Sequence, residues 1–239
     1  IKVGVIVGAE QQVAEVAQKV AKEKYGLDVE LVTFNDYVLP NEALSKGDID
    51  VNAFQHKPYL DQQIKDRGYK LVSVGNSFVY PIAGYSKKIK SLDELQPGSQ
   101  VAIPNDPTNL GRSLLLLQQV GLIKLKEGVG LLPTSLDIIE NPKNLKIVEL
   151  EAPQLPRSLD DAQIALAVIN TTYASQIGLT PAKDGIFVEG KESPYVNLIV
   201  AREDNKDAEN VKKFVQAYQS DEVYEAANKI FNGGAVKGW

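Results

Sequence analysis

Ala102-Ile103-Pro104-Asn105-Asp106-Pro107-Thr108-Asn109-Leu110-Gly111-Arg112 reads as a strand that runs through a turn into a helix. Val101 to Ile103 form a short apolar strand. Pro104 and Pro107 end it and hold the turn open, because proline fixes φ and lacks a donor. A helix is expected from near Asn109, carrying Leu114 to Leu117, with Thr108 or Asn109 as its cap. Its first backbone N–H groups and positive dipole end would face the turn, a combination that favours an anion. Arg112, one turn in, adds a planar fork that matches a carboxylate. A purely structural strand-to-helix connection with a surface arginine explains the same residues.

Working outward, the pattern repeats. Upstream, Ser91-Leu92-Asp93-Glu94 is a capping box and Pro97-Gly98 a turn. Downstream, the helix stops at Gly121, and Leu122 to Pro133 is irregular. A short helix is expected over 135–141, a strand over 145–150, and a polar-flanked helix holding Leu159 and Ala162. Ile164-Ala165-Leu166-Ala167-Val168-Ile169 is a buried strand that ends at Asn170-Thr171-Thr172, with a helix running on to Gln176. Lys87-Lys88-Ile89-Lys90 reads as a solvated loop, and Asp160-Asp161 as a solvated pair at a helix start.

At the other end, Ile1 to Gly8 is nearly all apolar past Lys2, as in strands buried on both faces of an α/β sheet. Val13, Val16, Ala17, Val20 and Ala21 follow at helical spacing up to Gly26, then Val29 to Phe34 is a second strand. Gly4 and Gly8 do not complete a dinucleotide fingerprint. A short third strand leaving a turn within Gly47 to His56, a helix over 57–67 closed by Gly68, a strand over 69–74 and an extended segment through Pro81 complete the series. Tyr195 to Arg202 is extended and apolar, and helices are expected over 206–219 and 221–231. The glycine-rich tail after Asn232 cannot be helical.

Two βα series imply α/β architecture with two lobes, residues 1–82 plus 198–239 and residues 83–197, joined by two interlobe crossings with a cleft between them. Loops at strand carboxyl ends are where such sheets take ligands. Here those loops hold aromatics (Tyr37, Phe54, Tyr59), amides (Asn109, Asn170) and Arg112, an apolar box with a few polar anchors. Asn197 lies within an otherwise apolar strand and needs partners if buried.

Composition narrows the function. The chain has 239 residues, 44% of them hydrophobic, with net charge −5. The pI is near 5.1, which argues against nucleic acid as a partner. No apolar run approaches the ~20 residues of a membrane span. No signal peptide is visible, and a start at Ile1 suits a processed or trimmed chain. With no cysteine and one histidine, disulfides, thiolate chemistry and multi-histidine metal sites are ruled out, and no cofactor is expected.

Four stretches go further: Gly4-Val5-Ile6-Val7-Gly8-Ala9, Phe54-Gln55-His56-Lys57-Pro58-Tyr59-Leu60, Ile103-Pro104-Asn105-Asp106-Pro107-Thr108-Asn109, and Val168-Ile169-Asn170-Thr171-Thr172-Tyr173-Ala174. Through them the whole chain resembles the NlpA lipoprotein family of methionine-binding lipoproteins, the substrate-binding subunits of bacterial methionine ABC importers. The resemblance implies a two-lobed periplasmic-binding-protein-like (type II) fold that closes on free methionine and delivers it to a membrane ABC permease with its ATPase subunits. It implies no enzymatic activity. It also implies a periplasmic protein held to the membrane by an N-terminal, palmitate-bearing lipid anchor on a cysteine, which this chain does not contain. Another small amino acid or a methionine-containing dipeptide is the alternative ligand.

The family's ligand residues fall on Tyr37, Phe54, His56, Tyr59, Asn109, Arg112, Asn170 and Asn197. Arg112 would pair the ligand carboxylate. Asn170 and Asn197 would accept from its ammonium, and Tyr37, Phe54 and Tyr59 would enclose the thioether. His56 would line the box or donate to a polar atom, and Asn109 would either touch ligand or cap its helix. An enzyme on the same fold and a ligand-free adhesin are the competing classes; no paired carboxylates or activated nucleophile gather at the expected cleft to support the first.

Overall fold

A computed structural model describes residues 1–190 and 192–239. The chain forms two compact units, Ile1–Tyr80 with Lys191–Trp239, and Pro81–Gly190. The first unit begins β1 (Lys2–Ile6), α1 (Ala9–Tyr25), β2 (Glu30–Phe34), α2 (Leu39–Lys46), β3 (Val51–His56), α3 (Lys57–Arg67) and β4 (Leu71–Val79). The second holds β5 (Ala83–Tyr85), β6 (Gln100–Pro104), α4 (Pro107–Gln119), β7 (Lys124–Leu125), β8 (Ile138–Glu140), β9 (Lys146–Leu150), α5 (Leu155–Ser158), β10 (Ile164–Ile169), α6 (Thr171–Gln176), α7 (Pro181–Asp184) and β11 (Phe187–Val188). The chain then completes the first unit with β12 (Val196–Arg202), α8 (Glu209–Tyr218), α9 (Asp221–Ile230) and β13 (Val236–Lys237).

The first unit is built on a six-stranded sheet ordered β13-β4-β12-β3-β1-β2. β1 pairs in parallel with β2 and β3, while β12 runs antiparallel between β3 and β4. Both faces are covered, which is why β1 is apolar and buried past Lys2 and β3 is buried along its whole length. On one face Val13, Ala14, Ala17, Val20 and Ala21 of α1 pack with Phe214 of α8 and Val223 and Ala227 of α9. On the other, Leu44 of α2 and Leu60 of α3 pack with Ile49, Leu71, Leu198 and Val200.

The second unit has a five-stranded sheet ordered β11-β5-β10-β6-β9. β6 lies parallel to β10 and β9, and β5 antiparallel to β10. Leu110, Leu114 and Leu117 of α4 pack with Val101, Ile103, Leu166 and Val168. Gly84 sits opposite Phe187 in the β5–β11 ladder, and a Cβ there would meet the Phe187 ring.

Local expectations shift in several places. The helix expected over 135–141 is a single 3-10 turn, Ser135–Asp137, closed by a Thr134–Asp137 capping box. Ile138-Ile139-Glu140 then pairs with β7 as a strand, as its β-branched residues favour. The helix placed around Leu159 and Ala162 comes earlier, over 155–158, because Pro156 suits the first helical turn. Asp160 and Asp161 therefore follow a helix end rather than start one. Exposed Lys88 is more than solvated: its Nζ donates to the carbonyls of Leu159 (3.2 Å), Asp161 (2.6 Å) and Ile164 (2.5 Å). The glycine-rich tail, expected only to be non-helical, adds β13, a two-residue strand that pairs antiparallel with β4.

Candidate functional site

In the first unit the parallel strands β1, β2 and β3 end at one edge of the sheet, and the expected aromatics collect there. Tyr37 follows β2, Phe54 is on β3 and Tyr59 is in the first turn of α3. Their ring centroids lie 5.9 Å (Tyr37–Phe54), 5.9 Å (Tyr37–Tyr59) and 6.0 Å (Phe54–Tyr59) apart, tilted or edge-on, within the favourable range for aromatic pairs. The Tyr59 hydroxyl donates to the Tyr37 carbonyl at 2.8 Å, and Asp36 Oδ1 accepts from the backbone of Val38 (2.8 Å) and Leu39 (3.0 Å). Both contacts fix the loop that carries Tyr37.

His56 caps α3, its Nδ1 accepting the Tyr59 N–H at 3.1 Å. That bond puts the proton of the neutral imidazole on Nε2. Tyr195 stacks edge-on against the ring with centroids 5.0 Å apart. Asn197 on β12 is the register partner of His56, so the amide lies beside the aromatic set. Behind β3, Asn41, Asn52 and Gln55 form a closed amide network: Asn41 Nδ2 donates to Gln55 Oε1 (2.9 Å), Gln55 Nε2 to Asn41 Oδ1 (2.7 Å), and Asn52 Nδ2 to Asn41 Oδ1 (3.0 Å). The three are buried, so this satisfied network specifies where α2 and β3 meet.

The second unit brings together Asn109, Arg112 and Asn170 at the carboxyl ends of β6 and β10. The cap of α4 is neither Thr108 nor Asn109 but Asp106, with Pro107 as the first helical residue. Pro107 thus opens the helix, as proline does at that position, instead of only holding the turn apart. Asp106 Oδ2 accepts from Asn109 N (3.2 Å), Asn109 Nδ2 (2.9 Å) and Thr108 Oγ1 (3.3 Å). Burial raises the Asp106 carboxyl above its ordinary range, opposed by those three donors. Asn109 relays onward, its Oδ1 accepting from Asn170 Nδ2 at 3.2 Å. Asn170 Oδ1 is buried and has no hydrogen-bond partner among the described residues.

Arg112 is buried as well, and its guanidinium grips Glu189 side-on: Nε to Oε2 at 3.0 Å and Nη2 to Oε1 at 2.6 Å. The arginine side chain is 4% exposed and the Glu189 side chain 12%. The surface arginine of the structural reading is thus a buried one. Among the described residues no group of three His, Asp or Glu side chains is placed to hold a metal ion, and no helix is long and apolar enough to cross a membrane.

The family model of the NlpA lipoproteins matches residues 1–239. The chain belongs to the NlpA lipoprotein family. Within it, the chain is 94% identical to the D-methionine-binding lipoprotein MetQ of Yersinia pestis, across all of this chain and 88% of that protein. A crystal structure of the methionine-binding protein MetQ, 94% identical, superposes with a TM-score of 0.99 over all of this chain and 98% of that one. A nutrient-binding protein from Burkholderia cenocepacia, solved bound to methionine, is 55% identical with a TM-score of 0.96 over the full length of both chains. The family's two-lobed α/β fold is the fold of this chain.

Sequence reasoning missed Asp106 as the cap, Tyr195 beside His56, and Glu189 on Arg112. The Asp-Pro pair signals the first, since an N-cap followed by proline is a helix start. Glu189 carries no local signal; it meets Arg112 only through the β5–β11 ladder.

Proposed function

We propose that this protein is a non-catalytic substrate-binding protein that captures free methionine and delivers it to a membrane ABC permease with its ATPase subunits, working in the periplasm and held to the membrane by an N-terminal lipid anchor. The observation that carries this reading is Asn170 Oδ1, a buried acceptor with no hydrogen-bond partner among the described residues. Leaving such a group unmatched costs about 1–3 kcal/mol, and a ligand ammonium supplies the missing donor. Asn197 adds a second amide, and Arg112 takes the carboxylate. Tyr37, Phe54 and Tyr59 enclose the thioether, each sulfur–aromatic contact contributing about 0.3–1.5 kcal/mol. His56 lines the aromatic set, and Asn109 holds Asn170 in place. The methionine-binding relatives support the substrate, and their identity to this chain supports the transfer.

Because Asn170 and Arg112 belong to one unit and the aromatics to the other, a ligand using both sets favours the arrangement that presents them together, by its differential affinity. The test is mass spectrometry of small molecules released on denaturation, followed by calorimetry of the stripped protein with both methionine stereoisomers and glycyl-methionine. Methionine recovered and rebound is the expected result. A glycyl-methionine preference, or no heat with any of them, overturns the reading.

A further inference from the structure

The Arg112–Glu189 pair does more than fill space. Side-on pairing fixes the guanidinium plane through Nε and Nη2, and a guanidinium offers five N–H donors in one plane. Glu189 is itself held: its N–H donates to the Ile82 carbonyl at 2.9 Å, and it directly follows β11. Phe187, two residues earlier, is locked over Gly84. The carboxylate therefore arrives at Arg112 from a rigid ladder rather than from a mobile loop. Both side chains are shielded from solvent, so the charge of one is felt by anything that approaches the other.

We propose that Glu189 is a positioning and specificity-determining residue. Its carboxylate sets the plane of the Arg112 guanidinium and cancels its charge, so the pair accepts a zwitterion and discriminates against a ligand that is only an anion. A lone buried arginine would attract any carboxylate. An arginine already matched by a carboxylate offers geometry without net charge, and a ligand then needs its own ammonium to balance the acid group it brings. The proposal rests on the reading of Arg112 as the carboxylate anchor.

The test compares methionine with N-formylmethionine, which keeps the carboxylate and thioether but loses the ammonium, by calorimetry on ligand-stripped protein. In Glu189→Gln the ratio Kd(N-formylmethionine)/Kd(methionine) falls at least tenfold relative to the parent, while Glu189→Asp, which keeps the charge, retains the parent ratio. Glu189→Met, uncharged and of similar volume, reads the same ratio should the glutamine variant fail to fold, as judged by its thermal melt. If the uncharged variant weakens both ligands by the same factor, or changes neither, Glu189 is a structural partner only and the proposal falls. If instead the parent binds methionine and Arg112→Met binds it within threefold of the parent, the carboxylate anchor is wrong and the underlying reading fails separately.

Discussion

At the residue scale, Arg112 is committed twice: to Glu189 in the structure and to a ligand carboxylate in the proposed function. Replacing Arg112 by alanine therefore does two things at once. It strands a nearly buried Glu189, which typically costs about 3–5 kcal/mol of stability, and it removes the anchor. Urea unfolding should show the loss in Arg112→Ala and a smaller one in the Arg112→Ala/Glu189→Ala double variant, because the double variant leaves no unpaired charge. Equal losses would mean the pair is not coupled. Asn170 offers a cleaner probe of binding. Its Oδ1 holds no partner within the described residues, so Asn170→Ala should cost at least tenfold in methionine affinity by calorimetry, beyond what the lost bond to Asn109 does to the melt.

At the scale of elements, α4 depends on its aspartate cap. Burial raises the folded-state pKa of Asp106 above its unfolded value, so the folded protein binds more protons there than the unfolded chain. Its contribution to stability is thus fully present below the unfolded pKa and lost as pH rises through the folded one. Asp106→Asn keeps a capping oxygen without the charge. Thermal melts at pH 4 and pH 7 should show the parent losing ground to this variant as pH rises; a constant difference would contradict the sign. In β5, Gly84→Ala forces a methyl group into the Phe187 ring, and overpacking of that kind costs about 1–3 kcal/mol, read as a lower melting temperature. The helices and strands that sequence made legible were those written in local pattern: α1 from its 3.6-residue spacing, α3 from Lys57 to Gly68, β10 from an unbroken apolar run. The failures were non-local. Ile138 to Glu140 became a strand because β7 lies beside it, and Glu189 met Arg112 through a ladder of residues far apart in the chain. Most of the proposed aromatic and amide residues of the candidate site could be picked out because they lie at or near strand carboxyl ends, where an α/β sheet takes its ligands, whereas Asn197 stood out as an amide within an apolar strand.

At the scale of the whole molecule, each unit carries its own sheet and core, and ligand binding is expected to register in both. Saturating methionine at one hundred times its dissociation constant should stabilise the protein by about 2.7 kcal/mol if only the folded form binds. Hydrogen exchange should slow in β3 of the first unit and in α4 of the second together; protection confined to one unit would argue against a ligand that uses both sets of residues.

The position of β12 has a further consequence. Strands β3 and β4 are neighbours in the chain but not in the sheet, since β12 lies between them. A ribosome makes β12 only after the entire second unit has been synthesised. Until residues 196–202 emerge, the nascent first unit carries a vacant slot with two unsatisfied strand edges, a template for any stray strand. The second unit, encoded without interruption over 81–190, faces no such delay. A chain truncated after residue 195 and released from the ribosome should therefore show protease protection over the second unit while the first stays open.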